Sequence, residues 1–220
     1  MKFLIDSDGQ QVARARWFAQ LVLAMLALVM TSLAFAKPNA NDDPPVFVQA
    51  VADEILVVLK SDPAVKQRDM ARINEIVEQY LMPHVDFERT TRLAVGRPWR
   101  DATQQQRDDL VQAFKGTLIR TYSGALDSID SGTSMQVLPF REAPEADDVV
   151  VRSNVVQATN MQPIRVDYRL RLGDQGWRIY DINVENIWLI QNYRNQFSQE
   201  INRSGIDGLI AALNERNTQN

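Results

Sequence analysis

The hydrophobic period of this 220-residue chain changes near Gly132. Before that glycine, apolar residues recur at the three- and four-residue spacing of amphipathic helices, and after it they alternate with a period of two. Short turn-rich segments separate the alternating runs, which favours an antiparallel meander. Such a sheet needs helices to cover its apolar face, so the predicted class is α+β with a curved four-stranded sheet. The predicted strands are Met135 to Phe140, Val149 to Val156, Ile164 to Leu172 and Trp177 to Val184.

The third and fourth predicted strands carry the clearest patterns. Apolar and charged residues alternate from residue 164 to residue 172, so one face is predicted to be buried and the other to be exposed to solvent. In the fourth strand, Trp177 and Ile179 share a phase that Ile182 and Val184 do not. We therefore expect a β-bulge near Tyr180 that bends the strand.

Helical periodicity predicts segments on both sides of the sheet. The signals include a stop at Pro83, a C-terminal cap at Gly96, and a capping box formed by Thr103 and Gln106. Gly116 lies inside the long fourth helix, as does Gly124, which indicates close packing there. The predicted helices span 46–59, 70–80, 86–95, 103–129, 187–202 and 207–215.

The amino terminus is typical of an export signal. Arg14 and Arg16 precede an apolar run from 21 to 33, and Ala34-Phe35-Ala36 then offers a small-x-small cleavage site. We expect cleavage after Ala36; an uncleaved anchoring helix is the alternative. The chain contains no cysteine, which excludes a lipoprotein anchor and disulfides. The predicted organisation is a signal peptide at 1–36, a disordered leader at 37–45, and one domain at 46–220, with a helical part at 46–130 and the sheet and C-terminal helices at 133–217.

Few residues could carry catalysis or bind a metal. His84 is the only histidine, and the sequence lacks metal-ligand, nucleophile-elbow and phosphate-loop motifs. We expect no metal, no cofactor and no enzyme activity. Residues 37–220 hold 21 basic and 26 acidic residues, which disfavours nucleic acid as a partner. Asp181 beside Tyr180, or Tyr168, could serve as the base and the donor of an isomerase or dehydratase in an apolar cavity. A Tyr and an Asp bonding backbone groups at a strand bend is the stronger interpretation.

Residues 93–126, LAVGRPWRDATQQQRDDLVQAFKGTLIRTYSGAL, place a Gly-Arg-x-Trp-Arg-x-Ala-Thr turn before a long amphipathic helix. With four further motifs, this string resembles the periplasmic phospholipid-binding proteins of the MlaC type, also called the toluene-tolerance family. The likeness spans nearly all of 37–220. The other motifs are Tyr80-Leu81-Met82-Pro83, Trp177-Arg178-Ile179-Tyr180-Asp181, Asn192-Tyr193-Arg194 with Gln196-Phe197, and Gly205-Ile206-Asp207-Gly208-Leu209.

The resemblance implies a cone like that of nuclear transport factors, with an added helical part. It also implies a monomeric, soluble periplasmic carrier of glycerophospholipid. Such a carrier works between an inner-membrane ABC-type lipid transporter complex and an outer-membrane lipoprotein/porin complex, with transient membrane proximity, to maintain outer-membrane lipid asymmetry. The alternatives are an enzyme on the same cone and a structural module with a filled core.

The resemblance also implies an apolar pocket wall. The family usually has Gly and Ser where this chain has Asn186 and Trp188, which puts the local bend and the pocket rim in doubt. Arginines on the outer face of the sheet indicate either cross-strand ion pairs or docking to an acidic partner; they are Arg152, Arg165, Arg169, Arg171 and Arg178. The wall residues are Val51, Ile55, Ile73, Val77, Phe114, Leu118, Tyr122, Val149, Val151, Val166, Tyr168, Leu170, Ile187 and Leu189.

Overall fold

The computed structural model describes residues 37–142, 145–158 and 160–218. The predicted signal peptide at 1–36 therefore lies outside the described residues. The described elements run in the predicted order of helices, sheet and helices.

Six α-helices are described. The second helical segment was predicted to run regularly from 70 to 80. Instead it changes to a π-helical turn, Val77–Leu81, and then to a 3-10 turn, Met82–His84. Pro83 lacks the N–H that a continuing α-helix would need, which explains the stop. The α-helices are α1 Pro44–Ser61, α2 Pro63–Lys66, α3 Met70–Ile76, α4 Phe87–Val95, α5 Gln104–Ser123 and α6 Leu189–Thr218.

The sheet is an antiparallel meander in the order β1-β2-β3-β4-β5. The four predicted strands are confirmed, with a fifth short strand beyond them. The prediction that a helix begins at Ile187 was wrong: Glu185 and Asn186 have positive φ values of 49° and 69°, the geometry of a two-residue hairpin, and this turn pairs β5 with β4. The strands are β1 Ser134–Val137, β2 Asp148–Gln157, β3 Asn160–Gly173, β4 Gly176–Val184 and β5 Ile187–Trp188.

The predicted bulge in the fourth strand is confirmed. Arg169 pairs with Asp181 and Leu170 pairs with Ile179, which leaves Tyr180 as the extra residue on β4. An extra residue reverses the phase of the strand beyond it. The residues on either side of the bulge, Ile179 and Ile182, therefore share the apolar face of the sheet.

Two separate groups of buried apolar residues hold the domain together. The first, which we call the sheet cluster, joins α1 to one face of the sheet, with Phe47 and Val151 both fully buried. The second, the helical cluster, joins α4, α5 and α6 around Phe114, which is also fully buried. The sheet cluster comprises Phe47, Val48, Val51, Met135, Val149, Val151, Leu170, Trp177 and Ile179. The helical cluster comprises Ala94, Val95, Trp99, Leu110, Ala113, Phe114, Tyr193, Phe197, Leu209 and Leu213.

The long helix α5 begins at the predicted capping box, in which Thr103 and Gln106 bond each other's backbone amides. It ends at Ser123, six residues earlier than predicted, and continues as a 3-10 turn. Close packing explains Gly116, where a Cβ would lie 2.7 Å from Asn217 Nδ2. The same explanation is wrong for Gly124, which has no neighbour within 4 Å and lies just beyond the end of the helix.

The outer face of the sheet is less exposed to solvent than the alternation of β3 predicted. Asp167 and Asp181 are each only 2% exposed, and Asn183 is also buried. Asp181 is buried where α6 begins next to β4, and the backbone amide of Ile190 donates a hydrogen bond to its Oδ1 over 3.0 Å. Asp167 accepts a hydrogen bond from Asn183 Nδ2 over 3.2 Å on the neighbouring strand.

The leader begins with a hydrogen-bonded turn that contacts the β3–β4 hairpin. Asn39 Nδ2 donates to Asp42 Oδ1 over 2.9 Å, and the Trp177 amide donates to the Ala40 carbonyl over 2.7 Å. Gly176, with φ +85°, allows this approach, because a Cβ there would lie 2.4 Å from the Ala40 oxygen. Only glycine combines this φ with this contact.

Candidate ligand-binding site

Most of the predicted wall residues fall into two groups that match the two apolar clusters. On the sheet side, Val149 pairs with Leu170 and Val151 pairs with Tyr168 across β2 and β3. Directly opposed residues of neighbouring strands share a face, so these four side chains form a continuous apolar surface under α1. Val51 and Ile55 complete this group from one side of α1.

On the helical side, Phe114, Leu118 and Leu189 belong to or pack against the helical cluster. The Phe114 ring makes edge contacts with Tyr193 and Phe197 at centroid distances of 4.8 and 4.9 Å. Leu118 lies one turn beyond Phe114 on α5, and Leu189 is the first residue of α6.

The other predicted wall residues differ in exposure. Ile73 on α3 is buried, whereas Val77 in the π-helical turn and Val166 on β3 are half-buried. Tyr122 and Ile187 lie at the surface, with 46% and 62% of their areas exposed. The π-helical turn contacts both α1 and the 3-10 turn that follows it, and α3 contacts α5. The α3 segment therefore lies between the two groups.

Residual exposure separates wall residues with space beside them from wall residues without it. Several of the predicted residues are at most 3% exposed, so they keep almost no accessible surface. The half-buried residues keep accessible surface, as a cavity wall does. The fully packed residues are Val51, Ile73, Phe114, Val149, Val151 and Leu170. The half-buried residues are Ile55, Val77, Leu118, Val166, Tyr168 and Leu189.

Ile182 was missed by the sequence reasoning. It is half-buried, packs against the sheet cluster and pairs with Tyr168 across β3 and β4. The signal was present in the sequence, because the bulge predicted near Tyr180 already implied that Ile182 returns to the face of Ile179.

The apolar face of the sheet carries neutral polar groups. Ser153 Oγ donates to the carbonyl of Val166 over 2.8 Å, and the Tyr168 hydroxyl lies 3.4 Å from Met135 Sδ. Burial is the main cause that raises the pKa of Tyr168 to about 12. The hydroxyl therefore stays protonated at neutral pH, and Tyr168 presents no charge to this face.

Asp181 bonds backbone groups at the strand bend, as the structural interpretation predicted, whereas Tyr180 bonds a side chain instead of the predicted backbone group. The Tyr180 hydroxyl donates to Asp148 Oδ1 over 2.8 Å. Asp181 accepts from the amides of Ile182 and Ile190 and pairs with Arg169 Nη1 at 3.1 Å. Burial is the main cause that raises the pKa of Asp181. These bonds engage both side chains away from the sheet cluster.

Trp188 lies on the short strand β5. Its ring packs beneath the Arg169 guanidinium, whose carbon is 3.9 Å from the ring centroid. Asn186 occupies the left-handed region at the hairpin turn, which asparagine tolerates better than most residues. The departures from the family pattern thus fit a tight β4–β5 turn.

Ion pairs account for most arginines on the outer face. Arg165 pairs with Asp167 at 3.1 Å, Arg169 with Asp181, and Arg171 with Asp147 at 2.8 Å. Arg178 donates to Gln175 over 2.6 Å, and Arg152 is exposed. Of the two interpretations, ion pairing fits this face better than docking to an acidic partner.

His84 is the last residue of the 3-10 turn, and its side chain contacts α1. Its Nε2 is 3.7 Å from Glu54 Oε2, and its ring meets the Phe47 ring edge-on with centroids 5.7 Å apart. Desolvation is the main cause that lowers the pKa of His84, and Glu54 opposes it. The described residues contain no group of three or more metal-binding side chains.

Two surface clefts are present outside the predicted wall. A cleft of about 360 Å³ lies within α6, which bends back at Gly205, and one of about 180 Å³ lies beside Trp99. Neither is lined by a predicted wall residue. Across 37–142, 145–158 and 160–218, no helix has the length and apolarity needed to cross a membrane.

Comparison with known proteins gives consistent matches. A model of the MlaC protein family matches residues 49–215. The intermembrane phospholipid transport system binding protein MlaC of Haemophilus influenzae is 23% identical over 206 residues, 93% of this chain and 94% of that protein. A solved structure, the phospholipid-binding protein from Ralstonia solanacearum in complex with a phospholipid, is 39% identical with a TM-score of 0.77, over 81% of this chain and 98% of that one. Because the family match spans well over half of its length, the chain belongs to the MlaC family.

Proposed function

We propose that this protein is a soluble periplasmic carrier that shelters the acyl chains of glycerophospholipids. The observation that carries the proposal is the bound phospholipid in the Ralstonia solanacearum protein, which shares 39% identity and the fold. In this protein, the apolar sheet face and the apolar sides of α1, α5 and α6 offer the apolar surface that acyl chains require.

In this proposal the acyl chains lie between the sheet cluster and the helical cluster. The half-buried residues of the predicted wall contact them, together with Ile182. The two clusters pack separately, so we expect the domain to accept chains between them without losing the packing within either cluster. The half-buried residues also keep accessible surface without a chain beside them.

A carrier mechanism follows from the energetics of transfer. Two acyl chains hold roughly 30 methylenes, so sheltering them from water is worth about 24 kcal/mol at about 0.8 kcal/mol each. The protein takes its lipid from hydrocarbon and returns it to hydrocarbon, so this large free energy nearly cancels. Small differences in binding free energy, supplied by membrane partners, can then decide whether lipid is loaded or released.

The phosphate head group stays in water in this proposal. The polar groups on the apolar sheet face, Ser153 and Tyr168, are neutral and bonded within the protein. Burying a phosphate there would cost its desolvation without an ionic partner. We therefore expect the protein to accept several head groups.

The proposed partners are an inner-membrane ABC-type lipid transporter complex and an outer-membrane lipoprotein/porin complex. Shuttling between them would maintain the lipid asymmetry of the outer membrane. The Haemophilus influenzae relative is named as a binding protein of an intermembrane phospholipid transport system, which supports this role. No chemical step is required, so the protein acts without catalysis.

Mass spectrometry of lipid extracted from protein purified out of the periplasm tests the proposal. We expect phospholipids of mixed head groups near one lipid per protein. Recovery of a single soluble metabolite would favour the isomerase or hydrolase alternative. Protein that yields no ligand would favour a structural module with a filled core.

A further inference from the structure

Two consecutive turns, residues 77–84, cross from the helical side of the domain to the sheet side. They are the π-helical turn Val77–Leu81 and the 3-10 turn Met82–His84, and we call them the bridging turns. The helix before them, α3, contacts α5, whereas the π-helical turn contacts α1. The bridging turns therefore lie where the helical cluster and the sheet cluster approach each other.

The bridging turns are anchored at both ends, but neither turn contains a buried residue. Before them, Ile73 and Ile76 of α3 are each 3% exposed. After them, the Asp86 amide donates to the Ile179 carbonyl of β4 over 2.8 Å. Among the residues that the structure describes, no backbone hydrogen bond joins the turns themselves to α1, α5 or the sheet. Segments with so few buried contacts open at a low free energy.

Side-chain contacts hold the bridging turns against the helices on both sides. Glu78 pairs with Lys115 of α5, and His84 Nε2 lies 3.7 Å from Glu54 Oε2 of α1. The Lys115 side chain is 14% exposed, whereas the Glu78 side chain is 53% exposed. Ion pairs with an exposed member contribute little stability. The Glu78 carboxylate can therefore leave Lys115 and turn to solvent without unfolding the domain.

The Glu78–Lys115 pair lies beside half-buried residues of the predicted wall on both of its sides. Glu78 follows Val77, and Lys115 lies three residues before Leu118 on α5. Residues three apart on a helix are neighbours on its surface. Val77 and Leu118 both keep accessible surface. The ion pair is thus at the edge of the space in which the proposed function places the acyl chains.

We propose that the bridging turns are the gate through which acyl chains enter and leave this space, and that the Glu78–Lys115 pair is its latch. The inference rests on the proposed carrier function, because a gate needs a cargo. Opening moves residues 77–84 away from α5 between two fixed anchors, while both apolar clusters stay packed. Re-forming the ion pair then closes the gate over the acyl chains.

The test uses a cross-link across the latch. The chain contains no cysteine, so Glu78→Cys/Lys115→Cys introduces the only two thiols, which a bismaleimide then joins. The control, Asp147→Cys/Arg171→Cys, replaces an ion pair on the outer face of the sheet in the same way. The measurement is the exchange of bound lipid for pyrene-labelled phosphatidylcholine supplied in phosphatidylcholine vesicles. We expect cross-linking to slow exchange about tenfold or more in the gate variant and less than about twofold in the control.

A charge reversal tests the latch without a cross-link. Glu78→Lys places two cations at the edge of the space, and their repulsion should speed exchange about threefold or more. Adding Lys115→Glu restores an ion pair and the wild-type net charge, so the double variant should exchange within about twofold of wild type. Rates are compared per folded protein, with the folded fraction measured by thermal unfolding.

Unchanged exchange in the cross-linked gate variant, or equal slowing in the gate and control variants, would overturn the proposal. A Glu78→Lys protein that exchanges at the wild-type rate would overturn the latch. Lipid co-purified with wild type keeps this test apart from the carrier function. Protein without phospholipid would overturn both proposals, whereas normal phospholipid with unaffected exchange would overturn only the gate.

Discussion

His84 shows how burial decides the behaviour of a single residue in this domain. Its ring lies against Phe47 within reach of Glu54, and desolvation outweighs that carboxylate in setting the direction of its pKa shift. Its neighbours pack the turn at the end of the α3 segment against α1. His84 is thus a packing residue, and nothing around it suggests a general base.

The lowered pKa of His84 gives a pH prediction with a definite sign. Between the folded pKa and the unfolded value of about 6.5, the unfolded chain binds more protons, so the folded state loses stability as pH falls through this window. We expect the melting temperature of wild type to drop more than that of His84→Gln between pH 7.5 and pH 5.5. Subtracting the two curves removes contributions common to both proteins, including that of Asp181.

Equal pH slopes for the two proteins would contradict the assigned burial of His84. Lipid transfer by His84→Ala should stay within a few-fold of wild type once folded fractions are matched. A collapse of transfer in a well-folded variant would instead indicate chemistry at this residue.

At the scale of elements, Asp181 ties β4 to the start of α6. Its carboxylate accepts two backbone amides, one from the strand and one from the helix, and pairs with Arg169. The side chain of Arg169 is 39% exposed and can turn to solvent. The two buried amides cannot turn to solvent. Removing the carboxylate that accepts their hydrogen bonds should therefore account for most of the lost stability.

We expect Asp181→Ala to lower the free energy of unfolding by about 1–3 kcal/mol, the usual cost of leaving a buried donor unpaired. Asp181→Asn should cost less, because the amide oxygen still accepts. Denaturant unfolding measures both variants. An Asp181→Ala variant as stable as wild type would show that these hydrogen bonds contribute little to stability. Lipid transfer by Asp181→Asn should remain within a few-fold of wild type.

Gly176 permits the contact between the leader and the β3–β4 hairpin. Alanine at its positive φ costs about 1–2 kcal/mol, and its Cβ would also displace the Ala40 carbonyl. We expect Gly176→Ala to destabilise the domain and to free residues 37–42 for proteolysis. Gly173→Ala is the matched control, because Gly173 has no neighbour within 4 Å and no positive φ. Equal protease resistance in both variants would contradict the contact.

At the scale of the whole molecule, local patterns predicted most of the fold. The alternation in β3 and the capping box of α5 are local signals, and the phase change at Tyr180 even predicted the bulge. The fifth strand was missed because two residues with positive φ create it, and Asn186 was weighed only as a departure from the family. The burial of Asp181 was missed because the start of α6 bonds its carboxylate, which is a tertiary effect.

The candidate site was less predictable than the fold. Periodicity identifies an apolar face but does not say which side chains on it have space beside them. Val151 and Tyr168 share one face and one register pair, yet Val151 is fully buried whereas Tyr168 keeps accessible surface. Such differences arise from how α1 lies across the sheet.

The central claim is that acyl chains occupy the space between the two clusters, and Leu118→Glu tests it most directly. Leu118 is half-buried beside the helical cluster. A carboxylate there costs several kcal/mol against acyl chains but can be hydrated in an open cavity. The exposed Arg152→Glu is a better control than Arg169→Glu, because Arg169 pairs with buried Asp181.

The measurement pairs co-purified phospholipid per protein with thermal unfolding for both variants. We predict a folded Leu118→Glu protein that has lost most of its lipid, beside an Arg152→Glu protein with normal lipid. A folded Leu118→Glu protein with normal lipid would contradict the claim. So would a variant that only unfolds, since a filled core at this position leaves no room for the charge.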